Sequence, residues 1–160
     1  MTQENLDKAL SVGKISSGLF IVTAGKNEVY DGYLASWIQQ VSFEPLLLSI
    51  AMRPGRPCYD FIQENGVFCI NIVGQENNGL MKPFWKGYDP NASPFESLEK
   101  RVSDLGSLIL LDAMAAIECR KVSSSQPGDH ELVIAEVLVS HMIKEKDKPL
   151  AHVRKSGASY

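Results

Sequence analysis

The sequence predicts a mainly β fold, an antiparallel barrel with a few short peripheral helices. Six or seven segments have the β-branched and aromatic residues, or the short apolar runs, that are typical of strands. These segments follow one another instead of alternating with helices, which excludes a doubly wound α/β sheet and favours antiparallel pairing. The two longest segments are separated by the turn residues Pro127-Gly128-Asp129.

The predicted elements follow in this order along the chain. A helix over residues 5–12 places Leu6 and Leu10 on one face. Strands are predicted at 19–23, at 28–33, from residue 37 or 38 onward, and at 46–52, where an apolar run indicates burial on both faces. A short helix over 58–63 ends at Asn65-Gly66, and a strand over 67–73 follows. The irregular region 75–107 holds a candidate helix at 80–86, and long strands at 108–122 and 130–143 come after it.

Composition indicates one globular domain, residues 1–160. A chain of 160 residues with 44% hydrophobic and 22% charged residues can bury its own core. The net charge of −3 and the lack of a basic face exclude nucleic acid as an expected partner. No apolar run approaches the roughly 20 residues of a membrane helix, and the N-terminal residues lack signal-peptide features. We therefore expect a cytoplasmic protein that binds neither membrane nor nucleic acid.

The cysteines and histidines have no metal-binding pattern. They are Cys58, Cys69, Cys119, His130, His141 and His152. Their spacings fit neither a zinc site nor a redox Cys-x-x-Cys pair. Cys69 and Cys119 lie in apolar runs, as small buried residues do. We expect no metal site, and an odd number of cysteines without a disulfide framework indicates a reducing compartment.

A loop between a strand and a helix carries two arginines. Arg53-Pro54-Gly55-Arg56-Pro57 cannot be regular structure, because two prolines and a glycine interrupt it. Arginine forks match phosphate oxygens, glycine lets a ligand approach the backbone, and the following helix directs free N–H groups at the loop. The pattern is typical of a phosphate site, although an exposed loop with two solvated arginines has the same sequence.

Small and polar residues interrupt an upstream strand, within residues 32–42. Ser36, Gln39, Gln40 and Ser42 supply neutral hydrogen-bonding groups there, and small residues let a flat ligand lie against the backbone. The N5, O4, N3 and O2 edge of a flavin ring needs such groups. A polar edge strand without a ligand remains the alternative.

His130 belongs to a Gly128-Asp129-His130 turn, a type of position that often carries functional side chains. An exposed turn histidine without a function has the same local sequence. Other catalytic motifs are absent, namely the Gly-x-Ser-x-Gly elbow, the Walker loop and the Gly-x-Gly-x-x-Gly turn. A nicotinamide cofactor would therefore not bind by a Rossmann turn.

Five segments, taken in order, resemble the flavin reductase-like family, whose fold is the FMN-binding split barrel. They are residues 14–23, 32–45, 68–73, 116–120 and 128–130, which spread over nearly the whole chain. The chain is especially similar to the reductase module attached to some flavodiiron proteins. The resemblance implies a mainly β fold, an antiparallel split β-barrel with a few short peripheral helices.

The resemblance also assigns expected roles to residues. The flavin ring would lie against Leu34, Ala35, Ser36, Trp37 and Ile38, near Gln40, which stands where many relatives carry a serine. The phosphate would bind in a loop that has arginines and a cysteine where many relatives have Ser or Thr: Met52, Arg53, Gly55, Arg56 and Cys58. His130 would lie near the nicotinamide of NAD(P)H and would be the catalytic residue.

Two further groups of residues are expected near the flavin. Phe84, Trp85 and Tyr88 could cover the ring, although three aromatic residues in a loop are as often packing residues. Lys155 and Tyr160 belong to a tail that in relatives approaches the flavin or the partner subunit.

The implied function is NAD(P)H-dependent flavin reduction, with hydride passing from nicotinamide C4 to flavin N5. The flavin would be FMN, with FAD as the other option, and the protein a homodimer that serves a small-molecule electron acceptor or a redox protein partner. The alternatives are an FMN-binding electron carrier without productive nicotinamide binding, and a split-barrel module that has lost flavin.

Overall fold

The computed structural model describes residues 2–158, which form a mainly antiparallel β structure with few helices. The helices are α1, Gln3–Gly13, and α2, Pro57–Asn65, with a 3-10 helix at Asn78–Phe84. The strands are β1 Ser17–Gly18, β2 Phe20–Lys26, β3 Val29–Ala35, β4 Ile38–Ser42, β5 Leu47–Met52, β6 Val67–Ile72, β7 Lys100–Val102, β8 Leu108–Leu110, β9 Ala115–Ser125, β10 Glu131–Met142 and β11 Ala151–His152.

Seven strands form one sheet in the order β3-β2-β6-β9-β10-β5-β4, and every neighbouring pair is antiparallel. The edge strands β3 and β4 follow each other in the chain, joined only by Ser36 and Trp37, yet they are not paired with each other. The sheet is thus open at this junction. The predicted antiparallel split-barrel architecture is confirmed.

The main core lies inside the curved sheet. Inward-facing side chains from β2, β3, β5, β6, β9 and β10 meet in one cluster, together with Cys58 and Ile62 of α2. Val22, Ile50 and Phe68 are among its fully buried members. Ala35 at the end of β3 and Ile38 at the start of β4 both pack against this cluster. The packed core therefore fixes the backbone on both sides of the β3–β4 opening.

Two predictions about strands are wrong in detail. The strand predicted over 108–122 is divided into β8 and β9, because residues 111–114 turn to make long-range bonds, such as that from the N–H of Met114 to the carbonyl of Ile72. The run at 46–52 is fully buried on one face only: Leu48, Ile50 and Met52 are buried, whereas the alternate residues Leu47, Ser49 and Ala51 are partly exposed. Leu46 precedes β5 and is 43% exposed.

The helices agree with prediction in place and type. α1 has the side chain of Thr2 as its N-cap, accepting from the N–H of Asn5, but its predicted apolar face leaves Leu6 and Leu10 exposed. α2 ends at Gly66, whose φ of 71° is the left-handed conformation that favours glycine. No helix within residues 2–158 is long and apolar enough to span a membrane.

Candidate functional site

A cavity of about 430 Å³ lies between the β3–β4 junction and the 3-10 helix, at the opening of the sheet. The junction contributes Tyr33, Leu34, Ala35, Ser36 and Trp37 as one wall. The opposite wall consists of Met81, Phe84, Trp85 and Gly87, with Arg53 and Arg56 at the rim. Its volume falls in the range of about 300–1,000 Å³ that is typical of small-molecule sites.

Trp37 is the central side chain of the junction. Its carbonyl accepts a hydrogen bond from the N–H of Ala51 at 3.0 Å, which fixes the backbone beside β5. The guanidinium of Arg154 lies over its ring, 4.8 Å from the centroid. The ring of His130 lies at 5.0 Å between centroids, tilted by 58°. Trp37 therefore connects the cavity to two residues that are distant in the sequence.

The arginine loop follows β5 and is shaped by Gly55. This glycine has a φ of 90°, a backbone conformation that other residues adopt only with strain. The turn places Arg56 at the N-cap of α2, with its guanidinium 5.7 Å from the centroid of the Tyr33 ring. Arg53 is exposed and Arg56 half-buried, so two cations are available to a ligand at the rim.

A buried carboxylate lies at the start of α2. Asp31 is 5% exposed, and its Oδ2 accepts a hydrogen bond from the N–H of Cys58 at 3.0 Å. Burial raises the pKa of Asp31, while bonds from the Cys58 and Gly32 N–H groups and the charge of Arg56 act to lower it. One of the N–H groups that could receive a phosphate therefore already has an anionic acceptor.

The side chain of Cys58 faces away from the cavity. It is fully buried, its Sγ lies 3.8 Å from the carbonyl oxygen of Val22, and burial raises the pKa of its thiol. Cys69 and Cys119 are buried free thiols as well, as the sequence predicted. Such thiols are unreactive, because the thiolate is the nucleophile.

His130 is fixed by the strand that follows it. Glu131 is paired with Met52, so the turn holding His130 lies across from the loop that starts at Arg53. Nδ1 of His130 lies 2.8 Å from Oδ1 of Asp129, and this bond, together with the charge of Arg53, lowers the pKa of Asp129. The imidazole is mostly buried, with 12% of the side chain exposed.

A polar cluster around Glu131 holds this turn. Glu131 accepts hydrogen bonds from Tyr59 and Gln63 and pairs with Lys121, whose Nζ is 2.9 Å from Oε1. Burial acts to raise the pKa of Glu131, but hydrogen bonds from Ser124, Tyr59 and Lys121 outweigh it and lower the pKa to about 2. The hydrogen bond to Glu131 in turn raises the pKa of the Tyr59 hydroxyl to about 12. The cluster joins α2 to β9 and β10 beside the site.

A second cavity of about 290 Å³ adjoins the first and shares Tyr33, Arg56, Phe84 and Gly87 with it. Asp31, Lys86 and Tyr88 also line it. Together the two cavities give a flat ligand room to extend past Arg56.

The structure brings together part of the predicted site. The predicted residues that line the larger cavity are Leu34, Ala35, Ser36, Trp37, Arg53, Arg56, Phe84 and Trp85. Tyr88 lines the smaller cavity, and Lys155 is exposed in the tail. Tyr160 lies outside the described residues.

Six predicted residues do not line the larger cavity: Ile38, Gln40, Met52, Gly55, Cys58 and His130. Ile38 packs against the main core, and Met52 is 1% exposed. Gln40 is exposed and donates to the carbonyl of Ser42 at 3.2 Å. The ring of His130 contacts Trp37, which lines the cavity.

Other lining residues were not predicted, notably His152, with Arg154 stacked beside the cavity on Trp37. β11 pairs with β1, which brings Ala151 opposite Gly18 and places His152 at the end of the cavity. The alternation of His152 and Arg154 in a short tail is a weak strand signal, and the pairing with β1 spans more than 130 residues. Leu19, Tyr33, Ala51, Met81 and Gly87 were missed as well.

Comparison with known sequences gives a consistent result. The family described as "Flavin reductase like domain" matches residues 12–159. A putative diflavin flavoprotein A 3 from Nostoc sp. is 38% identical over 157 residues, and a diflavin flavoprotein A 1 from Synechocystis sp. is 36% identical over the same length. The alignments cover 98% of this chain but 27% of each relative, so the chain spans about a quarter of their length.

Solved structures with the same fold include flavin reductases. A putative flavin reductase from Haemophilus somnus superimposes with a TM-score of 0.82 at 19% identity, covering 97% of this chain and 96% of the other. An NADH:FAD oxidoreductase from Streptomyces globisporus gives 0.81 at 19% identity, covering 92% and 87%. At these identities the likeness establishes the fold.

Proposed function

The chain belongs to the flavin reductase-like family, and on that premise we propose that it binds FMN and passes a hydride from NAD(P)H to flavin N5. The observation that carries the proposal is the cavity at the β3–β4 junction, with a flat aromatic wall and two arginines at its rim. A bound flavin supplies the hydride-accepting atom, so the protein contributes binding, orientation and electrostatics.

The junction suits a flavin ring. On one wall Ala35 and Ser36 offer small side chains, and residues 34–37 offer backbone polar groups. Phe84 and Trp85 supply apolar surface on the other wall. Ile38 and Gln40 do not line this wall, and we expect them to contribute by positioning β4, the strand to which they belong. We expect backbone groups to make most of the polar contacts, since Ala35 and Ser36 are buried.

The loop after β5 is the proposed phosphate site. Arg53 and Arg56 supply the charge, and Gly55 and Met52 set the course of the backbone. Cys58 contributes through its backbone only, because its thiol is buried. The phosphate contacts the arginines instead of the Cys58 N–H, which Asp31 occupies.

His130 is the proposed catalytic residue, placed near the nicotinamide. Its ring contacts Trp37 and its Nδ1 contacts Asp129, so it is oriented on two sides. Holding two rings in a fixed geometry is the main contribution that the protein can make to hydride transfer.

Anaerobic stopped-flow mixing of the FMN-loaded protein with NADH and with NADPH tests the reductase function. Loss of the flavin absorbance with either donor is the expected result, and the faster donor identifies the natural one. A protein that binds FMN but is bleached by neither donor is an electron carrier, the second candidate. A protein that does not bind flavin has neither function.

We also propose a homodimer. The β4–β5 hairpin at the edge of the sheet exposes Val41, Phe43 and Leu46, and Phe43 is 88% exposed. An apolar group of this kind on a sheet edge is typical of a surface covered by another chain. Sedimentation of the protein and of Phe43→Asp should give a dimer and a monomer, respectively. Electrons would leave to a small-molecule acceptor or a redox protein.

A further inference from the structure

Arg154 is a buried cation with no carboxylate partner among residues 2–158. It is 9% exposed, and the face of Trp37 is the contact that its guanidinium makes. None of the ion pairs or side-chain hydrogen bonds of that part of the chain includes it, unlike the half-buried Lys121, which is paired with Glu131. Buried charges are normally paired, because an uncompensated one is costly. Within residues 2–158, Arg154 therefore has no anionic side chain beside it.

The position of Arg154 indicates where that anion comes from. The ring it covers belongs to Trp37, which lines the cavity, and His152, two residues earlier in the tail, lines it as well. The nearby carboxylates are engaged: Asp31 accepts from the Cys58 N–H, and Asp129 contacts His130. Together with Arg53 and Arg56, Arg154 gives the cavity an excess of positive charge.

We propose that Arg154 stabilises the reduced form of the flavin more than the oxidised form, an inference that rests on the proposed function. Hydride transfer adds two electrons and one proton to a neutral flavin, giving a monoanion with its charge at the N1–C2=O edge, while the nicotinamide becomes oxidised and cationic. A fixed cation in a desolvated place interacts strongly with such a developing charge and weakly with the neutral ring. Arg154 thus raises the midpoint potential of the bound flavin.

The stack on Trp37 explains how the cation is held without a carboxylate. A guanidinium over an aromatic ring is attracted by the negative face of the ring, so Trp37 keeps Arg154 in place without neutralising its charge. A carboxylate partner would hold it more firmly but would cancel the field at the cavity.

The test compares Arg154→Met, Arg154→Lys and the control Arg120→Met, which removes an exposed arginine on β9. For each, the dissociation constants of oxidised and reduced FMN and the midpoint potential of the bound FMN are measured. We expect Arg154→Met to weaken binding of reduced FMN at least tenfold more than that of oxidised FMN, a fall of about 30 mV in a two-electron potential. Arg154→Lys should retain most of the difference, and Arg120→Met all of it.

Equal weakening of both redox forms in Arg154→Met would make Arg154 a structural residue and overturn the inference. Should that variant not fold, the wild-type protein decides: the N1 pKa of its bound reduced FMN, read from the ultraviolet spectrum, should lie below that of free reduced FMN. An equal or higher value overturns the inference. Failure of the proposed flavin binding has a different signature, because the wild type would then bind neither form, and the inference would fall with it. If the protein binds FMN but neither NADH nor NADPH reduces it, the proposed reductase function fails while the inference is still tested by the same measurements.

Discussion

The carboxylate of Asp31 accepts a hydrogen bond from the backbone N–H of Cys58 at 3.0 Å, so the first turn of α2 holds an anion supplied by the protein itself. Helix N-termini favour negative charge, and an arginine at the N-cap adds to this. A flavin phosphate bound by Arg53 and Arg56 would therefore lie close to a like charge.

Asp31→Asn should strengthen binding of FMN relative to riboflavin, which has no phosphate. The amide oxygen can still accept from Cys58, so the variant removes the charge and keeps the hydrogen bond. Loss of a repulsion of roughly 0.5–1.5 kcal/mol would raise the ratio of the two affinities about three- to tenfold. Titration of both flavins, followed by fluorescence quenching, measures the ratio. An unchanged ratio would mean that the phosphate binds elsewhere.

Replacement of both Arg53 and Arg56 by Ala should weaken FMN binding by a few kcal/mol, because charge-assisted hydrogen bonds contribute about 1.5–3 kcal/mol each. Riboflavin affinity should change little, since the ring contacts at the junction remain. Arg120→Ala, an exposed arginine on β9, is the matched control. If the double variant lost FMN and riboflavin affinity equally, the arginines would support the fold of the loop and not bind the phosphate.

The sequence predicts the cavity wall well because its determinants are local. The small residues at Ala35 and Ser36 and the Pro-Gly loop after β5 are features of single segments, and the structure brings both to one cavity. The division of 108–122 was missed since no breaker residue marks it. The turn at 111–114 is set by bonds to distant parts of the chain, such as that from the N–H of Met114 to the carbonyl of Ile72 in β6. Tertiary hydrogen bonds override local propensity there.

The contribution of the C-terminal tail to the cavity also has no local sequence signal, because it depends on contacts with distant parts of the chain. His152 reaches the cavity because β11 pairs with β1, and nothing near residue 152 specifies that pairing. In the sequence Arg154 is adjacent to another basic residue, Lys155, and nothing local marks it as buried, whereas the structure buries it on Trp37. Its burial depends on the place of an aromatic residue more than 100 positions away.

His130→Ala should slow reduction of the flavin by nicotinamide yet leave the flavin bound. His130 contacts Trp37 but does not line the larger cavity, so its loss removes an orienting contact and no flavin contact. We expect a rate roughly ten- to a hundredfold lower, as for a misplaced reactant. Stopped-flow rates at saturating NAD(P)H, compared with the FMN dissociation constant, separate the two effects. Asp129→Asn leaves the imidazole ring in place and should slow flavin reduction less than His130→Ala does. Identical reduction rates for the wild type and His130→Ala would mean that His130 has no part in the reaction.

Glu131→Gln should reduce stability at neutral pH and flatten its dependence on pH in acid. The folded pKa of Glu131 is about 2, below an unfolded value of about 4.3, so the unfolded state binds more protons between these values. The stabilisation that the ionised Glu131 provides is complete above the pKa of this residue in the unfolded chain. It is lost as the pH falls toward the pKa of Glu131 in the folded protein. Urea unfolding of wild type and variant from pH 7 to pH 3 measures the slopes. Glu136→Gln, on the same strand, is the control, and equal slopes for wild type and Glu131→Gln would contradict the assignment.

Gly55→Ala tests whether the shape of the arginine loop determines the phosphate site. Gly55 has a φ of 90°, and a Cβ there would meet no atom within 4 Å, so any cost arises from the backbone and not from a clash. Gly128→Ala is the matched control, because Gly128 also has open space around it but does not have a φ in the left-handed range.

A non-glycine residue in the left-handed conformation costs roughly 1–2 kcal/mol. We therefore expect Gly55→Ala to lower the free energy of unfolding by about that amount, or to avoid this cost by shifting the loop. If the loop shifts, FMN affinity should fall while riboflavin affinity holds, because the two guanidiniums lose their spacing. Gly128→Ala should leave stability and the ratio of the two affinities unchanged. If Gly55→Ala matched it in both measurements, the loop would tolerate the change, and its left-handed turn would have no part in placing Arg53 and Arg56.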